Sequence, residues 1–431
     1  MIKLSHIAVF FVVVLLMACG KQKEKEENQM KEKKDRVSLS AKDILGNPDY
    51  RAISYGGYRM KTRDSQPTIP QLKEDLKIMH AMGIRVLRTY NVRLPHAANV
   101  LKAIDEMKEK HSDFEMYVML GAWIDCKNAW TDMPVNHNEE AEYNGDEIKR
   151  AMELANQYPD IVKVIAVGNE AMVKWAATYY VQPNVILKWV NYLQNAKAKG
   201  ELSKDLWITS SDNFASWGGG DTLYHVPDLE KLVKAVDYLS IHTYPMHDTH
   251  YNPVFWGVLP KEKKLSNSKI LQNVMKRSLN YAVSQYDSVV SYMNSLGVKK
   301  PVHIGETGWA SVSNGHYGPE GAKATDEYKQ ALYHDMMRKW SDENKVSCFY
   351  FEAFDEPWKD YHNENGSENH FGLFTVDGKA KYVLWDEVDQ GVFKGLKRGE
   401  NEITKTYKGD KSDLLLEVLM PPTKKEILLN H

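Results

Sequence analysis

The sequence predicts an α/β protein folded as a (β/α)8 TIM barrel. Eight short runs rich in β-branched and aromatic residues recur along the chain, and segments with helical spacing separate them. Polar or aromatic side chains close most of these runs, which is where a parallel barrel presents its functional residues. An open doubly wound sheet is the main alternative. Such a sheet usually carries a Gly-rich phosphate-binding turn after an early strand, and SYGGY does not match that pattern.

The predicted strands are spaced so that a helix fits between each pair. They are AISYGGY (52–58), IRVLRTY (84–90), EMYVMLGAW (115–123), IVKVIAVGNE (161–170), LWITSSD (206–212), VDYLSIHTY (236–244), PVHIGETGW (301–309) and VSCFYFEAF (346–354). Helical spacing is clearest over 70–83 and 326–344. The first of these segments closes with Gly83, a residue type that commonly ends helices.

The chain divides into four predicted segments. We expect a signal peptide over 1–18, a flexible charged tether over 19–45, the barrel over 46–395 and a C-terminal extension over 396–431. The extension contains LLLEVLM, which is consistent with an added strand or with a packed arm. Within the barrel, the long connection 245–300 between the sixth and seventh strands is expected to extend over the mouth.

The N-terminus has the features of an export signal. Lys3 precedes an apolar run that is too short to span a membrane comfortably, and the run ends at Cys19. Leu16-Met17-Ala18-Cys19 resembles a bacterial lipobox, which implies that Cys19 receives a lipid. The charged stretch that follows resembles the surface-export signals of Bacteroidetes lipoproteins. We expect a lipid-anchored protein of the bacterial outer membrane or cell surface, with ordinary secretion as the alternative.

Composition narrows the range of partners. The formal net charge of −2 gives no strong attraction to nucleic acid or acidic lipid, so we expect no nucleic acid partner and membrane contact only through the lipid anchor. We further expect a monomer. Eleven Trp and 24 Tyr residues suit a sugar-binding surface, although an aromatic core is an equal alternative. Cys126 and Cys348 are expected to be buried thiols, with a disulfide as the alternative.

Two glutamates are the central candidates for chemistry. Glu170 closes the fourth predicted strand and Glu306 closes the seventh, and the ends of these strands face each other across a barrel mouth. Glycoside cleavage needs two carboxyl groups, one to protonate the leaving oxygen and one to attack the sugar or activate water. Helix capping or pairing with an arginine is the alternative for each glutamate. The pair together indicates a glycosidase.

The segments around these glutamates resemble a known family. VGNE at 167–170 and GETGWAS at 305–311 are similar to the two signature segments of glycoside hydrolase family 17, the β-1,3-glucanase family. Ala310 stands where that family usually has proline. IRVLRTY, VMLGAW, FYFEAFDEPWKD (349–360) and ENHFGLF (368–374) resemble its fungal-type branch, which includes glucanosyltransferases.

The resemblance spans about residues 50–390 and implies a mechanism. It implies that Glu170 is the acid/base and Glu306 the nucleophile of a retaining enzyme that cleaves laminarin-like β-1,3-glucan without a cofactor. A β-1,3-glucanosyltransferase that uses the same site is the first alternative, and a surface glycan-binding lipoprotein without turnover is the second. The sequence leaves open whether cleavage is endo or exo and whether β-1,6 branches are tolerated.

Other strand-end residues are candidate sugar contacts. Asn169 is expected to bond the sugar 2-hydroxyl, and Tyr244 is expected to donate a hydrogen bond to Glu306. The remaining candidates are Tyr90, Trp123 and Trp309 as platforms for a glucose ring, and Glu352 for hydroxyl groups. Core packing is the alternative for each aromatic residue. Arg88 is a candidate to orient a catalytic carboxylate, and Asp355 is expected to hold its loop or an arginine.

Three histidines have the residue type of metal ligands. His242, His247 and His250 lie close together in sequence, and Asp248 lies among them. Nothing completes a recognisable zinc motif, so we expect no metal and interpret these histidines as solvated or substrate-contacting.

Overall fold

Eight parallel strands close into a barrel in the computed structural model, which describes residues 39–429. The strands are β1 (Arg51–Ser54), β2 (Ile84–Arg88), β3 (Tyr117–Ala122), β4 (Val162–Asn169), β5 (Trp207–Asn213), β6 (Leu239–His242), β7 (Val302–Gly308) and β8 (Cys348–Phe351). Each strand pairs in parallel with the next, and β8 pairs with β1. The predicted (β/α)8 fold is confirmed.

Helices follow the strands around the barrel. They are α1 (Ile69–Ala81), α2 (Pro95–Lys110), α3 (Asn144–Gln157), α4 (Pro183–Lys199), α5 (Pro227–Ala235), α6 (Asn267–Ser295), α7 (Glu327–Glu343) and α8 (Trp385–Asp389). Four further short helices are Ala41–Ile44, Pro245–Asp248, Lys411–Leu416 and Lys424–Leu429. Two antiparallel ribbons pair Cys126–Lys127 with Asn136–Glu140 and Lys397–Arg398 with Asn401–Glu402. The helices predicted over 70–83 and 326–344 correspond to α1 and α7.

Local sequence explains where the helices begin and what they bury. The Thr68 hydroxyl accepts from the backbone of Gln71, and the Gln71 side chain bonds back to the backbone of Thr68, which forms a capping box at the start of α1. Leu72, Leu76 and Met79 repeat at helical spacing and are fully buried against the strands. Amphipathic helices of this kind cover the outside of the barrel and do not cover its mouth. The loops at the mouth therefore remain accessible to solvent.

The folded part of the chain begins earlier than predicted. Residues from Ser40 onward belong to one compact unit, whereas the tether was expected to extend to residue 45. Ala41 and Ile44 are buried in the first short helix, and the Asp43 carboxylate accepts hydrogen bonds from Ser40 at its start. Ala41 and Ile44 lie three residues apart on one face of this helix, and that face packs against the rest of the fold. The predicted signal peptide and Cys19 lie outside the described residues.

The C-terminal segment packs against the barrel as part of the same compact unit. The guanidinium of Arg398 donates to both carboxylate oxygens of Asp75 on α1, at 2.9 and 3.1 Å, and both side chains are buried. Thr423 forms a parallel bridge with Val258. The segment LLLEVLM (414–420) begins inside the helix Lys411–Leu416 and contains no strand. The predicted added strand is therefore wrong, and the packed arm is the correct alternative.

The long connection between β6 and β7 contributes a short helix and α6. Pro245–Asp248 lies directly after β6, and α6 is 29 residues long. Cys126 and Cys348 are buried free thiols, as favoured from the sequence. No helix within the described part of the chain is both long and apolar enough to cross a membrane.

Candidate active site

The end of β4 has an unusual backbone that presents Glu170. Gly168 has φ +81°, and Glu170 itself has φ +46°, a region that non-glycine residues seldom occupy. A Cβ on Gly168 would lie 2.8 Å from the Cβ of Ala171. The Glu170 amide donates to the carbonyl of Ser211 on β5 at 3.0 Å. The strand therefore ends in a bend that turns the Glu170 side chain away from the barrel wall, and glycine is required for that bend.

Glu306 lies within β7 and accepts hydrogen bonds from three side chains. Tyr244 donates to its Oε1 at 2.6 Å, as expected from the sequence, and Tyr90 donates to its Oε2 at 3.1 Å. The Arg88 guanidinium also contacts Oε2. Burial alone would raise the pKa of Glu306, but the charge of Arg88 and these hydrogen bonds outweigh it and lower the pKa. Glu306 is held as a carboxylate.

Arg88 links the two catalytic strands from inside the barrel. Its buried guanidinium donates to the carbonyl of Gly305 at 2.9 Å, to Glu306 and to the side-chain oxygen of Asn169. The position of Arg88 is therefore consistent with its predicted role of orienting a carboxylate, and that carboxylate is Glu306. Because the Asn169 oxygen accepts from Arg88, its amide NH2 is the group available to donate to a ligand. The contact of Asn169 with sugar stays a prediction.

The surroundings of Glu170 favour the opposite protonation state. Burial raises its pKa, and the nearby negative charge of Glu306 raises it further. Its Oε1 lies 3.1 Å from Nδ1 of His242, whose Nε2 lies 2.7 Å from the hydroxyl of Ser211. Burial lowers the pKa of His242 to about 4, so this partner is a neutral imidazole and supplies no positive charge. Glu170 is held as a protonated acid.

Both carboxyl groups line one cavity of about 480 Å³ at the mouth of the barrel, a size common for ligand sites. Its other lining residues come from the ends of β5 and β8, from the loops and the short helix that follow β4 to β8, and from α6. They are Trp175, Asn213, Phe214, Tyr244, His247, Asp248, Gln285, Tyr317, Phe351, Glu368 and Phe371. A cavity with one protonated and one ionised carboxyl group, lined by aromatic and polar side chains, has the chemistry needed to cleave a glycosidic bond.

Trp309 does not reach this cavity, and its predicted role as a sugar platform is wrong. The side chain is 0% exposed, its Nε1 donates to the carbonyl of Ala324 at 2.8 Å, and its ring packs against Trp256 and Tyr333. Side chains alternate along β7, which places Trp309 on the same side as Thr307, whose hydroxyl bonds Tyr333 of α7. The ring therefore belongs to the layer between the barrel and its helices.

Glu352 is likewise removed from the sugar contacts. It is 1% exposed, and both of its oxygens accept from Nζ of Lys359, at 2.7 and 2.8 Å. The predicted bond to sugar hydroxyls is corrected to a structural ion pair, because a buried carboxylate with a bound cation has no free access to a ligand. Asp355 holds its loop as expected, but through Lys381 and the amide of Gly372 rather than an arginine.

The remaining predicted contacts occupy the mouth. Tyr90 and Trp123 are half-buried at the ends of β2 and β3. The Tyr90 hydroxyl is used for Glu306, while Nε1 of Trp123 donates to Asp125 at 2.7 Å. Their contacts with sugar stay predictions. Among residues 39–429, no group of three His, Cys, Asp or Glu side chains could hold a metal ion.

Several cavity residues were missed from the sequence. Trp175 is 65% exposed and follows Glu170 in the β4–α4 loop, and Phe351 and Phe371 meet at 5.3 Å on the opposite wall. His247 was not missed, because it is one of the histidines interpreted from the sequence as solvated or substrate-contacting. It stacks on Tyr244 with ring centroids 5.1 Å apart and lies on the cavity surface, and its contact with substrate stays a prediction. Trp175 could have been predicted from the sequence, because it is an aromatic residue in the loop that follows the strand carrying Glu170.

The comparisons with known proteins identify the family. Residues 52–372 match the BtgE/BtgC glycoside hydrolase domain. The chain belongs to this family of glycoside hydrolases. A crystal structure of an endo-laminarinase from Formosa Hel1_33_131 is 70% identical, has a TM-score of 0.89, and covers 91% of this chain and 100% of that chain.

Two curated fungal relatives are more distant. A probable glucan endo-1,3-beta-glucosidase btgC from Aspergillus flavus is 25% identical over 366 residues, which are 80% of this chain and 45% of that protein. A glucan 1,3-beta-glucosidase from Arthroderma benhamiae is 26% identical over 279 residues, which are 62% of this chain and 70% of that protein. The chain thus spans less than half the length of the Aspergillus protein.

Proposed function

We propose that the protein is a retaining glycoside hydrolase that cleaves β-1,3-glucan with Glu170 as acid/base and Glu306 as nucleophile. The observation that carries the proposal is the opposite protonation of two carboxyl groups in one cavity, in a chain that belongs to a glycoside hydrolase family. Pairs of titratable groups whose surroundings separate their pKa values are typical of acid and base assignments.

In the first step, the Glu306 carboxylate attacks the anomeric carbon and forms a covalent glycosyl-enzyme. Glu170 donates its proton to the glycosidic oxygen as the carbon–oxygen bond breaks, and the aglycone leaves as an alcohol. Arg88 and Tyr244 hold the nucleophile ionised and in position until attack. The positive charge of Arg88 and the hydrogen bond from Tyr244 also reduce the basicity of Glu306. Glu306 is therefore a good leaving group in the second step.

In the second step, Glu170 acts as a base. Loss of its proton leaves Glu170 ionised while Glu306 is esterified and neutral, so the negative charge that raised the pKa of Glu170 in addition to burial is absent. Glu170 then takes a proton from a water molecule that attacks the anomeric carbon, and the Glu306 carboxylate is released. Two displacements at one carbon leave the anomeric configuration unchanged.

We propose endo cleavage of a laminarin-like glucan. Support comes from the 70% identical Formosa protein, which is an endo-laminarinase. The glucanosyltransferase alternative uses the same covalent intermediate with a sugar in place of water. Incubation with defined β-1,3-linked oligosaccharides distinguishes the two reactions. Products shorter than the substrate are expected, whereas products longer than the substrate would show transfer.

Substitution of the two glutamates tests their roles separately. Glu306→Gln is expected to reduce release of reducing ends by at least ~10³-fold with an unchanged melting temperature, because the amide cannot attack. Glu170→Ala is expected to lose activity on polymer, but added azide should restore turnover of a substrate with an activated leaving group. Near-normal activity of Glu306→Gln would contradict the nucleophile assignment.

We further propose that the protein is exported, anchored to the outer membrane or cell surface by a lipid on Cys19, and monomeric. The support is the lipobox-like Leu16-Met17-Ala18-Cys19 and the charged stretch after it. Cys19→Ala is expected to move the protein from the membrane fraction to the soluble fraction. Unchanged membrane retention would refute lipidation at this residue.

A further inference from the structure

An exposed tryptophan lies beside the active site and outside its cavity. Trp130 is 59% exposed and lies after β3, in the connection between the two ribbon strands Cys126–Lys127 and Asn136–Glu140. Its backbone has φ +62°, a conformation that is uncommon and unfavourable for a bulky side chain. An exposed ring adds little to the core, so core packing does not explain why this conformation is kept. Backbone strain of this kind is concentrated at functional sites.

Hydrogen bonds hold the Trp130 ring in a fixed orientation. Its Nε1 donates to Oδ1 of Asp125 at 3.1 Å, the same oxygen that accepts from Nε1 of Trp123 at 2.7 Å. The other oxygen of Asp125 accepts from the Tyr143 hydroxyl at 2.6 Å. Asp125 is fully buried, and its backbone amide donates a hydrogen bond to Oδ1 of Asn144 at 3.1 Å. One buried carboxylate therefore sets the positions of three aromatic side chains.

Ring stacking supports Trp130 from one side and leaves the other free. The Trp130 and Tyr179 rings are stacked with centroids 5.1 Å apart and an interplanar angle of 20°. Trp123 packs against the same tyrosine at 5.5 Å. Because one face of the Trp130 ring rests on Tyr179, the exposed part of the residue presents its opposite face to solvent.

This aromatic group connects to the catalytic carboxyl groups through the β4–α4 loop. Tyr179 lies nine residues after Glu170, and the carbonyl of Tyr179 accepts from the amide of Cys126 at 3.0 Å. Trp123 directly follows β3, and Tyr179 lies in the loop between β4 and α4 that begins at Glu170. The stacked rings of Trp123, Tyr179 and Trp130 therefore lie at the end of the barrel that carries Glu170.

We propose that Trp130 is a stacking platform for a glucosyl unit of the glucan chain outside the cavity where cleavage occurs. The inference rests on the proposed function, since it takes β-1,3-glucan as the ligand. The flat, apolar face of a glucose ring matches an indole face. Trp130 therefore determines preference for long over short substrates.

A substrate-length series tests this inference. The kcat/KM values of the wild type, Trp130→Ala and Trp130→Phe are measured on β-1,3-linked glucose oligomers from three to seven units. We expect Trp130→Ala to lose about tenfold on the longest oligomer and to match the wild type on the shortest one cleaved, while Trp130→Phe retains most of the length preference. Tyr192→Ala, which removes a 43% exposed ring from α4, is the matched control and should leave every value unchanged.

The possible outcomes separate this inference from the proposed function. An equal loss at all lengths, or no loss at any length, would overturn the role of Trp130 while leaving the hydrolase intact. If the wild type releases no reducing ends from any oligomer, the proposed function fails. The platform is then judged by calorimetric binding of the seven-unit oligomer to Glu306→Gln, with and without Trp130→Ala. Equal affinities would overturn it.

Discussion

Glu170 and Glu306 are the same residue type in one cavity, and their neighbours make them chemically different. Glu306 receives a buried guanidinium and a tyrosine hydroxyl, which stabilise its ionised form. Glu170 has a neutral imidazole and a nearby carboxylate, which favour its protonated form. In the proposed mechanism, the difference in charge between Arg88 and His242 decides which glutamate attacks and which donates a proton.

The pH dependence of kcat/KM should show this division. Activity requires ionised Glu306 and protonated Glu170, so it should fall at low pH through the lowered pKa and at high pH through the raised pKa. Tyr244→Phe removes a hydrogen bond that lowers the pKa of Glu306, so the acidic limb should move to higher pH. Tyr286→Phe, which removes a hydroxyl bonded to the carbonyl of Val302 at the start of β7, is the control. An unmoved acidic limb in Tyr244→Phe would contradict the assignment.

Sequence alone was sufficient to place the two glutamates at the mouth and to pair Glu306 with Tyr244, and it was insufficient for the aromatic residues around them. Each glutamate follows a hydrophobic run and carries a charge that a core cannot accept, so its location at the mouth was predictable. Trp309 has no such signal, because an aromatic residue fits the cavity and the helix layer equally well. Its burial depends on Trp256 and Tyr333, which lie far from it in sequence.

At the scale of elements, the bend at the end of β4 is the feature that presents Glu170, the proposed acid/base. Its hydrogen-bond register with β5 shifts between Ala166 and Asn169, and the residues in this bend include glycine with positive φ. The sequence predicted a strand ending at Glu170, but the bend follows from pairing with β5 and could not be derived from the run itself.

Substitution of Gly168 tests the bend. Gly168→Ala combines an unfavourable φ with a Cβ placed 2.8 Å from that of Ala171, so we expect a loss of about 2–3 kcal/mol in the free energy of unfolding and a large loss of kcat. Gly200→Ala has the same sign of φ at the end of α4 and no atom within 4 Å. It should lose about 1 kcal/mol and retain full activity. Equal kcat values for the two variants would contradict the role of the bend.

The C-terminal segment contributes to stability through one buried ion pair. Arg398→Met leaves Asp75 buried with Arg59 at 3.0 Å as its remaining cation, and we expect a loss of about 3 kcal/mol in the free energy of unfolding by denaturant titration. Lys397→Met replaces the exposed neighbour on the same ribbon and should change stability by less than about 0.5 kcal/mol. Equal effects would contradict the contribution of this ion pair to stability.

At the scale of the whole molecule, periodic hydrophobic runs predicted the barrel and its order of strands. The limits of the folded unit were less predictable. The predicted barrel began at residue 46, after a segment rich in charged residues. Ser40 and the short helix after it belong to the fold because Ala41 and Ile44 find buried positions that the sequence does not display. Long-range packing of this kind also explains the C-terminal arm.

The central claim is that the protein hydrolyses β-1,3-glucan by double displacement at Glu306. Proton NMR of the first products released from a linear β-1,3-glucan tests it most directly, because the anomeric signals are read before mutarotation. The mechanism predicts new reducing ends that appear first as the β-anomer and an absence of signal with Glu306→Gln. Products that appear first as the α-anomer, or no new reducing ends with the wild type, would contradict it.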